Sequence, residues 1–561
     1  MNNYRVLLAI AVSMVILLVH QLFFVPPPPD PQPAIDDGWR DIRREAGMQP
    51  VPTLPEPAEI RRQEAIAPVD VATLLDPARA VRQIKVQTSL YTAVISEAGG
   101  VLKSFQLNQF RETVDPYSPG KELVRAEAQD GSPLFFSWGV EPDQAEMLHF
   151  EADQTSIFVD EGQEQTLTLR VLTPQGLELI RTYVFRDQDY SIDVTVEVRN
   201  HSEVPLRGAP YLTLVNRPFS DISDPMDHFL FTGPTVLLNN EVHNIEVGDL
   251  AAGRAGRSFT GAVRWAGYHD SYFLTSIIPL GDHQSTAHFV ADHDDLVTTV
   301  LAAAADNLSP GHALRYEYKI FFGPKKLSLL REMGHELERT VDFGWFDFLA
   351  RPVLLFLNFL YGLIGNYGLA IILVTVLIKI AFWPLTHKGM KSMKVMQKIQ
   401  PKMVKLREKF KDDRQLQQQE MLKLYQTYKV NPLGGCLPLL LQIPVFFALY
   451  KVLLQSVELR HAPFMLWIND LSAPDRLYIG FDLPWLGGLP VLTLLMGASM
   501  FVQQKMTPIT ADPLQARIML FLPVVFTFLF LGFASGLVLY WFVNNVLTIA
   551  QQYYMIYRQK D

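Results

Sequence analysis

A single lysine stands inside a long apolar run, in the stretch VTVLIKIAFWPLT at positions 374–386. A charge among lipid chains is costly, so an ionisable residue in such a run indicates a functional position. Thr375 lies one helical turn before Lys379, and Trp383 lies one turn after it. This spacing predicts a polar stripe on one helix face. Two interpretations stay open: the ammonium faces a water-filled cavity, or its long stem snorkels to the lipid headgroups.

Patterns that carry catalysis or bind metals are missing from this sequence. No GxSxG, HExxH or P-loop motif occurs. Cys436 is the single cysteine, which excludes an intrachain disulfide and cysteine-based metal clusters. The acidic run Asp292, His293, Asp294, Asp295 is interpreted as a solvated loop rather than a cation site, and no ligand spacing links His201, His228, His243 and His269. We therefore predict a protein that is not an enzyme and has no catalytic residue, cofactor or metal.

The charges divide the chain into an acidic part and a basic part. The 561 residues are 49% hydrophobic and 19% charged, which suits a membrane protein that carries a large soluble domain. Residues 26–345 contain 27 Lys and Arg against 47 Asp and Glu, a net charge of −20. The remainder contains 22 against 11, a net charge of +11. We expect the two parts to lie on opposite sides of a membrane.

The first 325 residues predict an anchor, a linker and a β domain. Residues 1–25 end in an apolar run, 6–25, that spans about 30 Å as a helix, so we interpret it as an uncleaved signal anchor. Residues 26–80 are rich in proline and acidic residues and predict a periplasmic linker. Residues 81–325 alternate apolar and polar residues with period two, which predicts an antiparallel periplasmic β-sandwich.

The remainder predicts helices. Residues 326–365 form a connector and an interfacial amphipathic helix, and 366–386 form the second membrane span. Residues 387–430 contain 12 Lys and Arg against 4 Asp and Glu and predict a cytoplasmic α-hairpin. Spans three to six occupy 431–556, before a cytoplasmic tail at 557–561. The predicted fold class is a multi-domain membrane protein: an all-α polytopic core of six transmembrane helices, an all-β periplasmic sandwich and a cytoplasmic α-hairpin. Both chain termini are cytoplasmic.

Four motifs carry a resemblance to a known family. They are NPLGGCLPLLLQIPVFFALY at 431–450, APFMLWINDLSAPD at 462–475, DPLQARIMLFLPVVFTFLF at 512–530 and SGLVLYWFVNN at 535–545. The segment 346–556 that contains them resembles the core of the YidC membrane insertase family. The β domain and first span resemble those of Gram-negative bacterial members, so the resemblance covers nearly the whole chain and implies a bacterial inner-membrane location.

The resemblance implies a membrane protein insertase and chaperone, with a polar groove that opens to the cytoplasm and sideways to lipid. Its central cation sits on the second span and is usually arginine; the matching residue here is Lys379. Lysine keeps the charge but lacks the planar fork of arginine, so we expect attraction to acidic segments without bidentate clamping. Thr375, Gln442 and Tyr540 are the other candidate groove residues, although ordinary contacts between helices explain Gln442 and Tyr540 equally well.

The basic hairpin repeats methionine every three residues. We consider Met390, Met393, Met396 and Met403 as a flexible surface that receives nascent apolar segments, or equally as a plain hairpin core. The implied partners are nascent membrane proteins, the Sec translocon, a ribosome or targeting factor, and the phospholipid bilayer, with no DNA. The main alternative function is a polytopic transporter or channel with a periplasmic sensing domain. A second alternative is a membrane-anchored glycan enzyme.

Overall fold

The computed structural model describes residues 81–126, 131–219, 231–252, 256–281, 284–292, 295–411, 413–428, 437–481, 486–506 and 513–557. The predicted anchor, 6–25, and the linker, 26–80, lie outside these ranges. So do His228, His293, Asp294 and Cys436.

The β region, 81–324, forms strands wherever the sequence alternates. In order they are β1 Gln83–Gln87, β2 Tyr91–Ser96, β3 Leu102–Arg111, β4 Gly120–Glu122, β5 Phe136–Trp138, β6 Glu151–Ala152, β7 Ser156–Phe158, β8 Glu164–Leu172, β9 Leu177–Arg186, β10 Ser191–Asn200, β11 Leu206–Gly208, β12 Pro210–Asn216, β13 Gly233–Leu238, β14 Glu241–Asn244, β15 Arg257–Gly261, β16 Val263–His269, β17 Phe273–Pro279, β18 Ser285–Ala291, β19 Val297–Ala303, β20 Asp306–Leu308 and β21 Ala313–Pro324. A short helix, α1 (Val247–Ala252), follows β14.

Three large sheets build the β domain. The central sheet has nine strands in the order β14-β13-β16-β17-β21-β10-β9-β8-β6. Two five-stranded sheets, β4-β3-β2-β1-β7 and β15-β18-β19-β12-β5, accompany it, and β11 pairs with β20. Along β10, Val194, Val196 and Val198 are buried while the residues between them are half-buried, which is the period-two pattern of a strand with one face in a core.

Both five-stranded sheets pack on the central sheet. The rings of Phe105 on β3 and Phe322 on β21 lie 5.1 Å apart. From the other sheet, Trp138 Nε1 donates to the Tyr316 hydroxyl at 3.0 Å. Apolar side chains from facing sheets therefore share one core, and the predicted β-sandwich is confirmed.

A buried arginine fastens the layers together. Arg181 on β9 is fully buried and donates to the carbonyl oxygens of Gly99 at 3.0 Å and Leu134 at 2.6 Å. Its guanidinium lies 5.3 Å from the centre of the Tyr183 ring. Neutral carbonyls and an aromatic face thus take the place of a carboxylate partner.

The C-terminal region is helical. Its helices are α2 Leu327–Met333, α3 Asp347–Ile364, α4 Tyr367–Lys409, α5 Arg414–Thr427, α6 Leu437–Gln455, α7 Val491–Met506, α8 Pro513–Leu529 and α9 Ser535–Tyr557. Among the described residues, two helical segments, Gly344–Ile364 and Tyr367–Met396, are long and apolar enough to cross a membrane. Shorter apolar helical stretches occupy Gln442–Gln455 and Met519–Gly532.

The long helix α4 joins the apolar segment around Lys379 to the basic segment that follows. It begins at Asn366, whose side chain accepts a hydrogen bond from the Leu369 amide at 3.0 Å and so caps the helix. It continues for 43 residues, or about 65 Å at 1.5 Å per residue. The helix α5 then begins after Asp413, which caps it through the Leu416 amide at 3.0 Å.

Helix α9 lies at the centre of the helical region, in contact with α4 on one side and α7 on the other. Helix α8 packs on α7, and α3 packs on α4 and α6. Gly497 brings α7 close to α8, because a Cβ atom there would lie 2.0 Å from the Thr527 hydroxyl oxygen. The two helices can approach this closely only because glycine has no side chain.

Candidate functional site

Lys379 reaches across from α4 to α9. Its ammonium donates to Asn544 Oδ1 at 2.9 Å and to Thr548 Oγ1 at 2.7 Å. Asn544 and Thr548 are one turn apart on α9 and both are buried, while Lys379 is half-buried. The Thr548 hydroxyl donates in turn to the Asn544 carbonyl at 2.7 Å, which leaves its lone pair directed at the lysine.

The partners of Lys379 are neutral. No carboxylate lies within ion-pair distance of its ammonium in the described part of the chain. An ammonium has three N–H donors, and Asn544 and Thr548 occupy two of them. The site therefore retains a net positive charge that acts on any acidic group nearby.

Thr375 occupies the predicted face but uses its hydroxyl locally. It is 1% exposed, and its Oγ1 donates to the Ile371 carbonyl of its own helix at 2.7 Å. Such a bond satisfies the hydroxyl within α4. Thr375 is thus packed in the interior, and its hydroxyl offers no free donor.

Gln442 and Tyr540 contact each other, in the manner of the ordinary contact between helices that was one of the two explanations left open for them. Tyr540 lies one turn before Asn544 on α9 and is buried, and its hydroxyl interacts with the Gln442 side chain on α6. Helices α4, α6 and α9 therefore converge on one set of polar side chains, and the structure brings three of the four predicted groove residues, Lys379, Gln442 and Tyr540, to α9.

Most of the polar residues on α9 were not among the predicted site residues. Gln551 Nε2 donates to Thr386 Oγ1 on α4 at 2.9 Å, and Asn545 Nδ2 donates to Ser499 Oγ on α7 at 3.0 Å. We call Tyr540, Asn544, Thr548 and Gln551 the polar seam. Their spacing of four, four and three residues places them on one helix face, and this signal was present in LVLYWFVNNVLTIAQQ.

Aromatic rings close the end of the polar seam nearest the start of α9. Trp541 on α9 has its ring 4.8 Å from Phe446 on α6 and 5.1 Å from Phe530, which follows α8. The Tyr450 and Phe533 rings lie 5.8 Å apart beside them. These packed rings connect α6, the end of α8 and α9. Most of the polar seam follows them along α9.

A loop, 456–481, covers the helix ends beyond the aromatic rings. We call it the cap. Ser535 at the start of α9 donates through Oγ to the Asp470 carbonyl at 2.7 Å, and Asn366 at the start of α4 donates to the Phe464 carbonyl at 2.9 Å. Asp475 accepts from the Thr493 amide of α7 at 3.1 Å. The cap thus ties together the first turns of three helices.

The methionines of the basic segment are not all presented at the surface. Met390 and Met403 on α4 are buried, and Met396 is half-buried. The side chain of Met393 is not among those that the structure describes. Gln417 on α5 donates to the Arg407 carbonyl at 3.0 Å, and the Lys402 ammonium bonds the Tyr428 hydroxyl. Burial favours the packing interpretation for Met390 and Met403.

The histidines and acidic residues considered earlier form no metal site within the described residues. His201 contacts Glu178 at 2.9 Å on the surface, and His243 packs against the Phe259 ring. His269 is buried against Lys325.

Comparisons with known proteins cover most of the chain. Residues 83–356 match the family model of the YidC periplasmic domain, and 359–561 match that of the 60Kd inner membrane protein. The membrane protein insertase YidC of Syntrophus aciditrophicus is 40% identical over 98% of this chain and 99% of its own. That of Geotalea daltonii is 40% identical over 98% of both chains. A crystal structure of an active YidC insertase covers 85% of this chain and 93% of its own, at 20% identity and a TM-score of 0.36.

Proposed function

Because the chain belongs to the YidC family of membrane protein insertases, we propose that it inserts and folds nascent membrane proteins in the bacterial inner membrane, through a groove beside the polar seam. The observation that carries this proposal is Lys379, a half-buried cation whose partners in the described residues, Asn544 and Thr548, are neutral. The positive charge stays available to a passing acidic segment.

The proposed topology has six spans with both termini in the cytoplasm. They are the anchor at 6–25, the apolar part of α4, and α6, α7, α8 and α9 with their flanking residues. The cap and the β domain then face the periplasm, and the basic end of α4 with α5 forms the cytoplasmic hairpin. The positive-inside rule supports this orientation, because 12 of the Lys and Arg residues fall in 387–430.

Helix α3 is proposed to lie along the periplasmic membrane surface. Its length and composition also fit a span. Two features favour the surface position: Arg351 forms an ion pair with Asp347 at 2.7 Å, and Pro352 removes a backbone donor from the second turn. Phe348, Leu355, Phe359 and Leu363 make an exposed apolar face suited to lipid.

The mechanism follows from transfer free energies. A substrate helix gains free energy on entering lipid, whereas its polar tail must cross a dry layer. A wet groove on the cytoplasmic side of the aromatic rings shortens that layer, and Lys379 attracts an acidic tail into it. The membrane potential adds about 2.3 kcal/mol per charge per 100 mV to outward movement of the tail. The substrate helix then leaves between α6 and α8, and no step consumes a nucleotide.

The proposed partners rest on the family to which the chain belongs and on the charge of the hairpin. Nascent membrane proteins are the proposed substrates, and the phospholipid bilayer receives them. The basic residues of the hairpin suit lipid headgroups, ribosomal RNA or a targeting factor. The protein is proposed to work alone or with the Sec translocon.

Reconstitution tests the function. Purified protein in liposomes is mixed with a single-span substrate that carries an acidic N-terminal tail, and protease protection of the tail reports insertion. Insertion above that of protein-free liposomes is expected. Absence of insertion, together with a solute flux across the same liposomes, would favour a transporter or channel instead.

A further inference from the structure

We infer that Arg460 docks the β domain onto the cap, so that the domain braces the periplasmic end of the helical region in one fixed orientation. Arg460 belongs to the cap, directly after the 3₁₀ turn Val457–Leu459. Its guanidinium donates through Nη1 to the Arg111 carbonyl at 2.7 Å and through Nη2 to the Glu112 carbonyl at 3.1 Å. Arg111 is the last residue of β3 and Glu112 follows it.

The acceptors of Arg460 form a shaped socket. Two successive carbonyls receive the two arms of one planar guanidinium, a fork geometry that lysine cannot copy. The guanidinium also lies 5.5 Å from the centre of the Phe273 ring at the start of β17. Phe110 meets the same ring edge-on at 5.7 Å. Two strands from different sheets of the β domain thus contact one side chain of the helical region.

The carboxylate nearest to the socket, that of Glu112, is paired with another residue, so Arg460 bonds backbone carbonyls. The neighbouring Glu112 carboxylate pairs with the buried Lys121 ammonium at 2.6 Å, and Lys121 also bonds the Phe219 carbonyl. The carboxylate is therefore neutralised within the β domain. A second contact lies alongside, where the Tyr272 hydroxyl interacts with the Ser472 side chain of the cap.

The cap backbone is shaped to present Arg460. The next residue, His461, adopts a left-handed conformation with φ of 58°, which is uncommon for a residue other than glycine. Its amide donates to Asp470 Oδ1 at 3.1 Å, across the cap. Asp470 also accepts from the Ser472 amide at 2.8 Å. These bonds hold the turn that points Arg460 away from the helices, while the same cap covers the first turns of α4, α7 and α9.

The inference is tested by a distance measurement on the full chain in lipid nanodiscs. Spin labels are placed at two exposed positions, Leu172→Cys on the β domain and Tyr478→Cys in the cap, with Cys436→Ser in the background. Double electron–electron resonance then reports the distribution of distances between the labels. The parent should give one narrow distribution, and Arg460→Ala should broaden it by about twofold, because the domain then moves on its connector.

Two further variants make the result specific. Arg460→Lys keeps the charge but loses the fork, so an intermediate width is expected. Arg207→Ala removes an exposed arginine elsewhere on the β domain and should leave the width unchanged. A broad distribution in the parent, or an unchanged width in Arg460→Ala, overturns the inference. Should Arg460→Ala yield no folded protein, Arg460→Lys decides: a width equal to the parent's overturns the inference, and a broader one supports it.

Discussion

At the scale of single residues, the site depends on how Lys379 is held. Two neutral acceptors on α9 fix the ammonium without cancelling its charge. A carboxylate in their place would form an ion pair and remove the attraction for acidic substrates. We therefore propose that Asn544 and Thr548 position the Lys379 ammonium, and their effect should depend on the charge of the substrate.

We predict that Asn544→Ala lowers the insertion rate of a substrate with an acidic tail by about three- to tenfold, which corresponds to about 1 kcal/mol of lost positioning. A substrate with a neutral tail should be affected less. Insertion of both substrates into proteoliposomes measures this. The matched control is Asn545→Ala, because the neighbouring asparagine bonds Ser499 on the other side of α9. Equal losses for the two tails would show that Asn544 acts only through folding.

A second prediction concerns His269 and Lys325 at the end of the β domain. The Lys325 ammonium donates to His269 Nδ1 at 3.1 Å. Burial, and next the charge of Lys325, hold the pKa of His269 well below its ordinary 6.5. Burial lowers the pKa of Lys325 to about 8. Both groups therefore bind protons more readily in the unfolded chain, so stability rises with pH.

The contribution of His269 to the free energy of unfolding is complete above pH 6.5. It is lost as the pH falls below 6.5, by at most about 1.4 kcal/mol per pH unit. The thermal midpoint of the purified protein should fall from pH 7 to pH 5, and His269→Gln should flatten the fall. His312→Gln, in an exposed loop, serves as the control substitution. A fall as steep in His269→Gln as in the parent would assign the effect to other groups.

At the scale of helices and strands, local sequence patterns were enough to predict single elements. They did not predict which elements pack against each other. The alternation in SIDVTVEVRN predicted β10, because a half-buried strand needs only a period of two. Its position inside an apolar run made Lys379 a candidate functional residue. Its partners lie 165 and 169 residues further along the chain, and only the packing of α4 on α9 brings them together. The burial of Met390 and Met403 is likewise set by tertiary contacts that periodicity does not reveal.

The contact between α7 and α8 gives a prediction at this scale. Gly497→Leu should destabilise the helical region by about 1–3 kcal/mol, because the new side chain meets Thr527 where no room exists. Gly362→Leu on α3 is the control, since a Cβ atom there has no neighbour within 4 Å. Tryptophan fluorescence during thermal unfolding compares the two variants, and equal melting temperatures would contradict close packing at Gly497.

At the scale of the whole molecule, we propose that the helical region carries out insertion and that the β domain supports it. The polar seam, the aromatic rings and the cap all belong to residues after 365, whereas the β domain reaches them through the cap. Deleting residues 81–325 should therefore leave insertion of a short substrate within about threefold of the parent, if transfer of the tail limits the rate. The same deletion combined with Lys379→Ala is the control and should lose about a further tenfold. Complete loss in the single deletion, in a protein that still folds, would place part of the insertion site in the β domain.

The central claim is that a charge at position 379 draws acidic segments into the groove. The most direct measurement compares the parent, Lys379→Arg and Lys379→Ala for insertion of a single-span substrate with an acidic tail into proteoliposomes. We predict that Lys379→Arg inserts like the parent and that Lys379→Ala loses about tenfold, or about 1.4 kcal/mol. Insertion by Lys379→Ala at the rate of the parent would contradict the claim and would reduce the contacts of Lys379 with Asn544 and Thr548 to a structural role.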